Sequence, residues 1–211
     1  MTKLLIALAF GGGILVGVVT WLLLPGSMIN SERTSAQLMD VVMWGTEPIG
    51  GPFALVDHTG RPRTEQDFRG RMLLIYFGFT YCSDICPTDL QAIAAAVDQL
   101  GQDGARVQPL FISVDPAKDS PEQLQGYVAL FHPRLIGLTG TPRQIRQAVR
   151  DFKVFVGNNV EAVGSAGAID HSGFTYLFDA AGRYLGFFPP GTPPERMVAA
   201  MRPHLAAMQK P

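Results

Sequence analysis

The sequence predicts an α/β fold in which a central mixed sheet is flanked by helices and preceded by one transmembrane helix. Three observations predict it. Residues 4–24 carry no charge, short apolar segments alternate with helix-starting patterns from residue 53 onward, and the last two apolar segments flank a turn at residues 179–182. With 211 residues, 47% of them apolar, the chain is long enough for one such domain and an appendage. The domain is expected over residues 48–211.

The uncharged N-terminal segment is long enough to cross a bilayer as a helix, because a span needs about 20 apolar residues. It is longer than the usual apolar core of a signal peptide, and no small-residue cleavage site follows it. We expect an uncleaved anchor over residues 1–25 and a tether over residues 26–47, with a cleaved signal peptide as the alternative. A short N-terminal tail normally stays cytoplasmic, so the domain is expected on the other side of the membrane.

Strand signals recur through the domain. The wholly apolar residues 72–77 predict a central strand buried on both faces. A turn at residues 179–182 predicts that the last two strands form a hairpin. The predicted strands are residues 53–57, 72–77, 106–114, 153–157, 174–178 and 184–188.

Helix signals fall between these strands. Apolar residues at helical spacing from Leu90 predict a helix that ends at Gly101. Capping patterns that begin at Ser120, Thr141 and Thr192 predict three more. Their predicted ranges are residues 121–131, 142–151 and 193–208. Strand–helix alternation followed by a hairpin and a final helix is the order found in thioredoxin-like domains.

Both cysteines of the chain, Cys82 and Cys86, lie between the buried strand and the helix that follows it. A helix N-terminus favours a thiolate over a thiol. If the turn around Cys82 is helical, a spacing of four places both sulfurs on one face, where they can share a ligand or form a disulfide. A purely structural disulfide is the alternative, but so short a loop stabilises little through chain entropy.

A histidine is predicted opposite the two cysteines. In the thioredoxin layout the cysteine loop faces the segment that enters the late hairpin, where thioredoxins carry a cis-proline. This chain has Asp170, His171, Ser172 and Gly173 there. Two thiolates and one imidazole make a soft site suited to Cu(I), and to Cu(II) if another donor joins. Structural zinc would normally need four protein ligands.

Three ordered motifs closely resemble the Sco/SenC family. They are residues 81–87 (YCSDICP), residues 113–116 with 119–122 (SVDP and DSPE), and residues 170–172 with 176–177 (DHS and YL). The resemblance covers roughly residues 48–208. It implies a membrane-anchored copper chaperone with a thioredoxin fold, which serves assembly of the dinuclear copper centre of cytochrome c oxidase subunit II.

Carried across residue by residue, the resemblance implies that Cys82, Cys86 and His171 are the copper ligands. The cysteines must be reduced to take copper and can instead form a disulfide. Asp170 and Asp115 are candidates for contacts with these ligands, although a role as a turn and cap residue is favoured for Asp115. The implied partners are subunit II, an upstream copper donor and a thioredoxin-like reductase. The implied compartment is the periplasm, or the intermembrane space in a mitochondrion.

Other functions are weighed against metal delivery. A thiol–disulfide oxidoreductase that reduces the cysteines of subunit II is the main alternative, because paired thiols at a helix start are competent for exchange. A peroxidase ranks last, because Thr80 is not at the expected distance before Cys86. A formal net charge of −1 argues against nucleic-acid binding. The sequence therefore favours a metal carrier over an enzyme.

Overall fold

A mixed sheet of seven strands forms the centre of the computed structural model, which describes residues 49–156 and 171–208. The strands are β1 (Ala54–Asp57), β2 (Pro62–Thr64), β3 (Met72–Gly78), β4 (Val107–Ser113), β5 (Ile136–Thr139), β6 (Thr175–Phe178) and β7 (Tyr184–Phe188). Their order across the sheet is β2-β1-β5-β4-β3-β6-β7. Strands β3, β4 and β5 are parallel to one another, and β1 and β6 run antiparallel to them. The predicted mixed sheet is confirmed.

Helices cover both faces of this sheet. They are α1 (Ile85–Gln99), α2 (Pro121–Val128), α3 (Pro142–Asp151) and α4 (Pro194–Ala207), with 3-10 helices at Glu65–Phe68 and Gly101–Arg106. Leu90 of α1, Leu124 of α2 and Met201 of α4 share one core cluster with Tyr76 of β3. Phe77, the next residue of β3, points to the opposite face, where its ring lies 5.3 Å from that of Phe152, just beyond α3.

Strand β3 positions the cysteine segment. All seven of its residues are buried, as its uniform apolar sequence predicts. It pairs in parallel with β4 along its whole length, so that Gly78 lies beside Ser113. Parallel strands end at the same edge of a sheet, so the loop after β3 and the loop after β4 emerge together. The loop after β3 carries Cys82, and the loop after β4 carries Asp115.

Two of the three predicted helix caps are confirmed, and the third is wrong. Thr141 and Gln144 form both halves of a capping box, and α3 covers the predicted residues 142–151. Ser120 accepts a hydrogen bond from the Gln123 N–H, although α2 ends at Val128 and not near residue 131. The prediction from Thr192 is wrong in its cap, because Pro193 is the N-cap residue. The Thr192 hydroxyl instead donates to the carbonyl of Pro189 at 2.6 Å.

One strand prediction is wrong, and two strands of the structure were not predicted. The strand predicted over residues 153–157 is wrong where the structure describes it, because Lys153 has a left-handed backbone with φ of 53° and Val156 makes only an isolated bridge to His171. Strands β2 and β5 were not predicted. Both are short segments of three and four residues, too short for an alternating pattern to identify a strand.

The predicted anchor (residues 1–25) and tether (residues 26–47) lie outside the described residues. The same holds for Asp170. In the part of the chain that the structure does describe, no helix has the length and apolar character needed to span a bilayer.

Candidate metal centre

The two cysteines meet at the N-terminus of α1, but from different kinds of structure. The helix begins at Ile85, so Cys86 lies in its first turn, fully buried. Cys82 lies in the preceding loop, where its N–H donates to the carbonyl of Phe79 at 3.2 Å. Its sulfur accepts the N–H of Cys86 at 3.4 Å. The turn around Cys82 is therefore not helical, and this loop brings the first thiol to the helix end. Both cysteines are free.

His171 lies opposite the pair, as the thioredoxin-like layout predicts. Its Nε2 is 3.6 Å from the sulfur of Cys86. Its Nδ1 is 3.2 Å from the carbonyl oxygen of Ser172. Because a carbonyl oxygen only accepts, we assign the proton of the neutral ring to Nδ1, which leaves the Nε2 lone pair directed toward the sulfur. A hydrogen bond of this kind also orients metal-binding imidazoles.

The segment that carries His171 is held from three sides. Its backbone bridges to Val156, and the next residue exchanges two hydrogen bonds with Phe155 at 2.9 and 3.1 Å. The rings of Phe79 and Tyr76 meet the imidazole edge-on, with centroids 5.6 and 6.5 Å away. The imidazole therefore has one preferred orientation before any ligand binds.

Cys86 and His171 have the donor-atom spacing expected for ligands of one metal ion. With metal–sulfur and metal–nitrogen distances of about 2.3 and 2.0 Å, such an ion separates the two donors by about 3.5–3.7 Å. Cys86 and His171 already have this separation. Within residues 49–156 and 171–208, however, no set of three or more histidine, cysteine, aspartate or glutamate side chains is already arranged as a metal site.

The two thiols differ in acidity. Burial opposes ionisation of Cys82, but hydrogen bonds from the Cys86 side chain and from backbone N–H groups at the helix start outweigh it and lower its pKa. Burial raises the pKa of Cys86 to about 12, and its hydrogen bond with Cys82 adds to the effect. Cys82 is therefore the thiol that ionises first and reacts first.

Three buried polar side chains around the pair were not predicted. Asp89 accepts the N–H of Gly191 at 2.8 Å and ties α1 to the loop after β7. Burial raises the pKa of Asp89, although the Gly191 N–H and the Tyr76 hydroxyl oppose it. Tyr76 is fully buried beside Cys86, and Asp119 is fully buried below the cysteine loop. Asp119 belongs to the motif at residues 119–122, which indicated the family but no contact with the cysteine loop. The sequence gives little signal for the other two, because a tyrosine in an apolar strand and an aspartate within a helix are ordinary residues.

Asp115 has partners that match its expected role in a turn. Its carbonyl accepts the N–H groups of Lys118 and Asp119 at 3.1 and 2.9 Å. Its buried carboxylate lies 3.3 Å from the amine of Lys118. These contacts close the loop between β4 and α2.

Gly78 gives a test of how tightly the site is packed. A Cβ at this position would lie 2.9 Å from the ring of Phe111 and 3.0 Å from both the Cys86 sulfur and the ring of Tyr76. We expect Gly78→Ala to destabilise the chain by about 1–3 kcal/mol, because a buried rigid group has to move. The measurement is the urea unfolding midpoint. Gly126→Ala is the control, because a Cβ there meets nothing within 4 Å; equal stability of the two variants would contradict the prediction.

Comparisons with known proteins agree on one family. The model of the SCO1/SenC family matches residues 42–206. The mitochondrial protein SCO2 homolog of Danio rerio is 39% identical over 191 residues, which are 89% of this chain and 66% of that protein. The chain thus spans about two thirds of the length of this relative.

Two solved structures share the fold. The crystal structure of Arabidopsis thaliana ScoI with copper bound is 36% identical with a TM-score of 0.68, and the match covers 75% of this chain and 99% of that one. The crystal structure of yeast Sco1 with copper bound is 35% identical with a TM-score of 0.67, covering 76% of this chain and 90% of that one. The mixed sheet with flanking helices is the fold of these Sco structures.

Proposed function

This chain belongs to the SCO1/SenC family, and from that premise we propose that it is a membrane-anchored metallochaperone that delivers copper to the dinuclear centre of cytochrome c oxidase subunit II. Copper, as Cu(I) or Cu(II), is its cargo. Cys82, Cys86 and His171 hold it. The observation that carries the proposal is the 3.6 Å separation of the Cys86 sulfur from a histidine nitrogen whose ring is already oriented by Ser172.

The chemistry of the three proposed ligands supports the role of a copper carrier. Two thiolates and an imidazole bind copper strongly, since soft donors favour Cu(I). Cys86 is buried and Cys82 is only half-buried, so an incoming thiolate of a partner can reach the metal on the side of Cys82. Ligand exchange that begins at Cys82 then releases copper without unfolding the site. Oxidation of the two cysteines to a disulfide has the same result.

The proposed partners follow from this chemistry. Subunit II receives the metal, and an upstream donor supplies it. A thioredoxin-like reductase keeps the two thiols reduced, because compartments outside the cytoplasm tend to oxidise them. The proposed location is the periplasm, or the intermembrane space in a mitochondrion, with residues 1–25 as the anchor.

Copper stoichiometry tests the proposal. We expect the fully reduced chain, in detergent micelles, to bind one copper per molecule, and the chain with its cysteines oxidised to a disulfide to bind none. The oxidised chain loses copper because two of the three donors are consumed. The measurement is metal content after gel filtration, with free thiols counted in the same samples. A folded, fully reduced chain that takes up no copper would refute metal delivery.

The acidity difference between the thiols favours a second candidate. A half-buried thiol of lowered pKa beside a buried thiol of raised pKa is the pattern of an attacking and a resolving cysteine. On this reading the chain reduces the cysteines of subunit II before copper insertion. Turnover with a dithiol donor would persist without His171. Absence of turnover in the wild-type chain would remove this candidate.

A further inference from the structure

A buried carboxylate lies directly below the cysteine loop. Asp119 is fully buried, and it precedes α2 at the end of the sheet where the loop after β3 emerges. In the described parts of the chain, no lysine, arginine or histidine forms an ion pair with it. Its partners are neutral donors, so the charge is compensated by hydrogen bonds alone. A buried carboxylate in this setting is costly, because hydrogen bonds replace water but no opposite charge does.

The hydrogen bonds of Asp119 join two separate segments. Oδ1 accepts the hydroxyl of Thr80 at 2.6 Å, and Oδ2 accepts the Thr80 N–H at 3.2 Å. Oδ2 also accepts the hydroxyl of Ser113 at 2.6 Å. Ser113 is the last residue of β4, a buried central strand. Thr80 lies in the loop after β3. The carboxylate thus joins the loop that carries Cys82 to a buried central strand.

Thr80, which Asp119 holds, influences the position of Cys82. Cys82 closes a turn in which its N–H donates to the carbonyl of Phe79, and Thr80 is the first residue inside that turn. Asp119 holds both the backbone and the side chain of Thr80, so the direction in which the turn leaves β3 is fixed. Cys86 and His171 are fixed independently, one by α1 and the other by its bridge to Val156. Cys82 is therefore the proposed ligand whose position depends on the turn that Asp119 holds.

We propose that Asp119 is a positioning residue, which sets the distance of the Cys82 sulfur from Cys86 and His171 through its hold on Thr80. Hydrogen bonds to a charged acceptor are roughly twice as strong as neutral ones, so a carboxylate holds the turn more rigidly than an amide. The hydrogen bonds between Asp119 and Thr80 favour the arrangement in which both thiols are reduced and lie close together. They thereby raise the copper affinity of the site and the reduction potential of the cysteine pair. The effect on copper rests on the proposed function, whereas the effect on the potential does not.

The test uses two variants that weaken the hydrogen bonds between Asp119 and Thr80 in different ways. Asp119→Asn replaces one acceptor with a donor, and Thr80→Val removes the hydroxyl while leaving the carboxylate in place. We expect each to lower Cu(I) affinity about tenfold or more, measured by competition with a chromophoric chelator. We expect the disulfide to become about tenfold harder to reduce, a shift of about 30 mV to lower potential in glutathione buffers. A disulfide holds the loop covalently, so only the reduced form needs Asp119.

Matched controls separate positioning from general stability. Asp57 is also a buried carboxylate, and it accepts hydrogen bonds from Thr59, Arg61 and Arg63 in the turn after β1. Strands β5 and β4 separate β1 from β3. Asp57→Asn should lower the free energy of unfolding without changing copper affinity or reduction potential. Thr80→Ser keeps the hydroxyl and should behave as the wild type.

If Asp119→Asn fails to fold, Thr80→Val alone tests the proposal, because it changes a side chain that is only half-buried. Unchanged affinity and potential in folded Thr80→Val would overturn the proposal. So would equal losses in Asp57→Asn, which would make the effect one of stability. If the wild type binds no copper, the proposed function fails, and the reduction potentials still test the role of Asp119.

Discussion

Replacing His171 with alanine is expected to lower copper affinity by more than about 100-fold, because loss of a metal ligand exceeds the 10–100-fold cost of losing a residue that only orients one. The imidazole supplies the donor nitrogen that faces the Cys86 sulfur at 3.6 Å. Two thiolates remain in the variant and still oxidise to a disulfide. The measurement is Cu(I) competition on the reduced full chain, with free thiols counted before and after.

A histidine away from the site is the control for this substitution. His204 lies exposed near the end of α4, and His204→Ala should bind copper as the wild type does. Unchanged copper affinity in His171→Ala would rule out the proposed ligand set. Loss of copper accompanied by loss of disulfide formation would indicate that the variant had disturbed the cysteine loop as well.

Alkylation of the reduced, metal-free chain is expected to be at least about tenfold faster at Cys82 than at Cys86 near neutral pH, because only the thiolate attacks iodoacetamide and the larger thiolate fraction of Cys82 outweighs its lower intrinsic nucleophilicity. The pKa of Cys82 is lowered and the side chain is half-buried, whereas burial raises the pKa of Cys86 to about 12. The thiolate fraction grows as pH rises toward the pKa and then levels off. The rate at Cys82 should therefore reach half its maximum at a pH below the ordinary thiol pKa, while the rate at Cys86 keeps rising about tenfold per pH unit.

Mass spectrometry of the two labelled sites measures both rates in one sample. The same chain in urea is the control, because unfolding removes the burial and the helix N-terminus together. The two rates should then converge. Equal rates in the folded chain would show that the cysteines share one environment, contrary to the structure.

The success of the sequence predictions depended on how local their physical causes are. Strand β3 and helix α3 were predicted well, because a uniform apolar run and a capping box are complete within a few residues. The prediction at Thr192 was wrong because the prolines after it leave the cap to Pro193. Strand β5 has four residues, and its pairing with β4 and β1 stabilises it more than its own pattern does.

The sequence by itself determined the fold class, the family and the identity of the three candidate ligands, because apolar periodicity and the order of the motifs are properties of the chain alone. Only the tertiary structure decided how these ligands meet. It placed Cys82 in a loop and not on a helical turn, gave the two thiols different acidities, and put Asp119 beneath Thr80. Burial and contacts between distant residues arise only when β3 and β4 end side by side, and no local pattern records them.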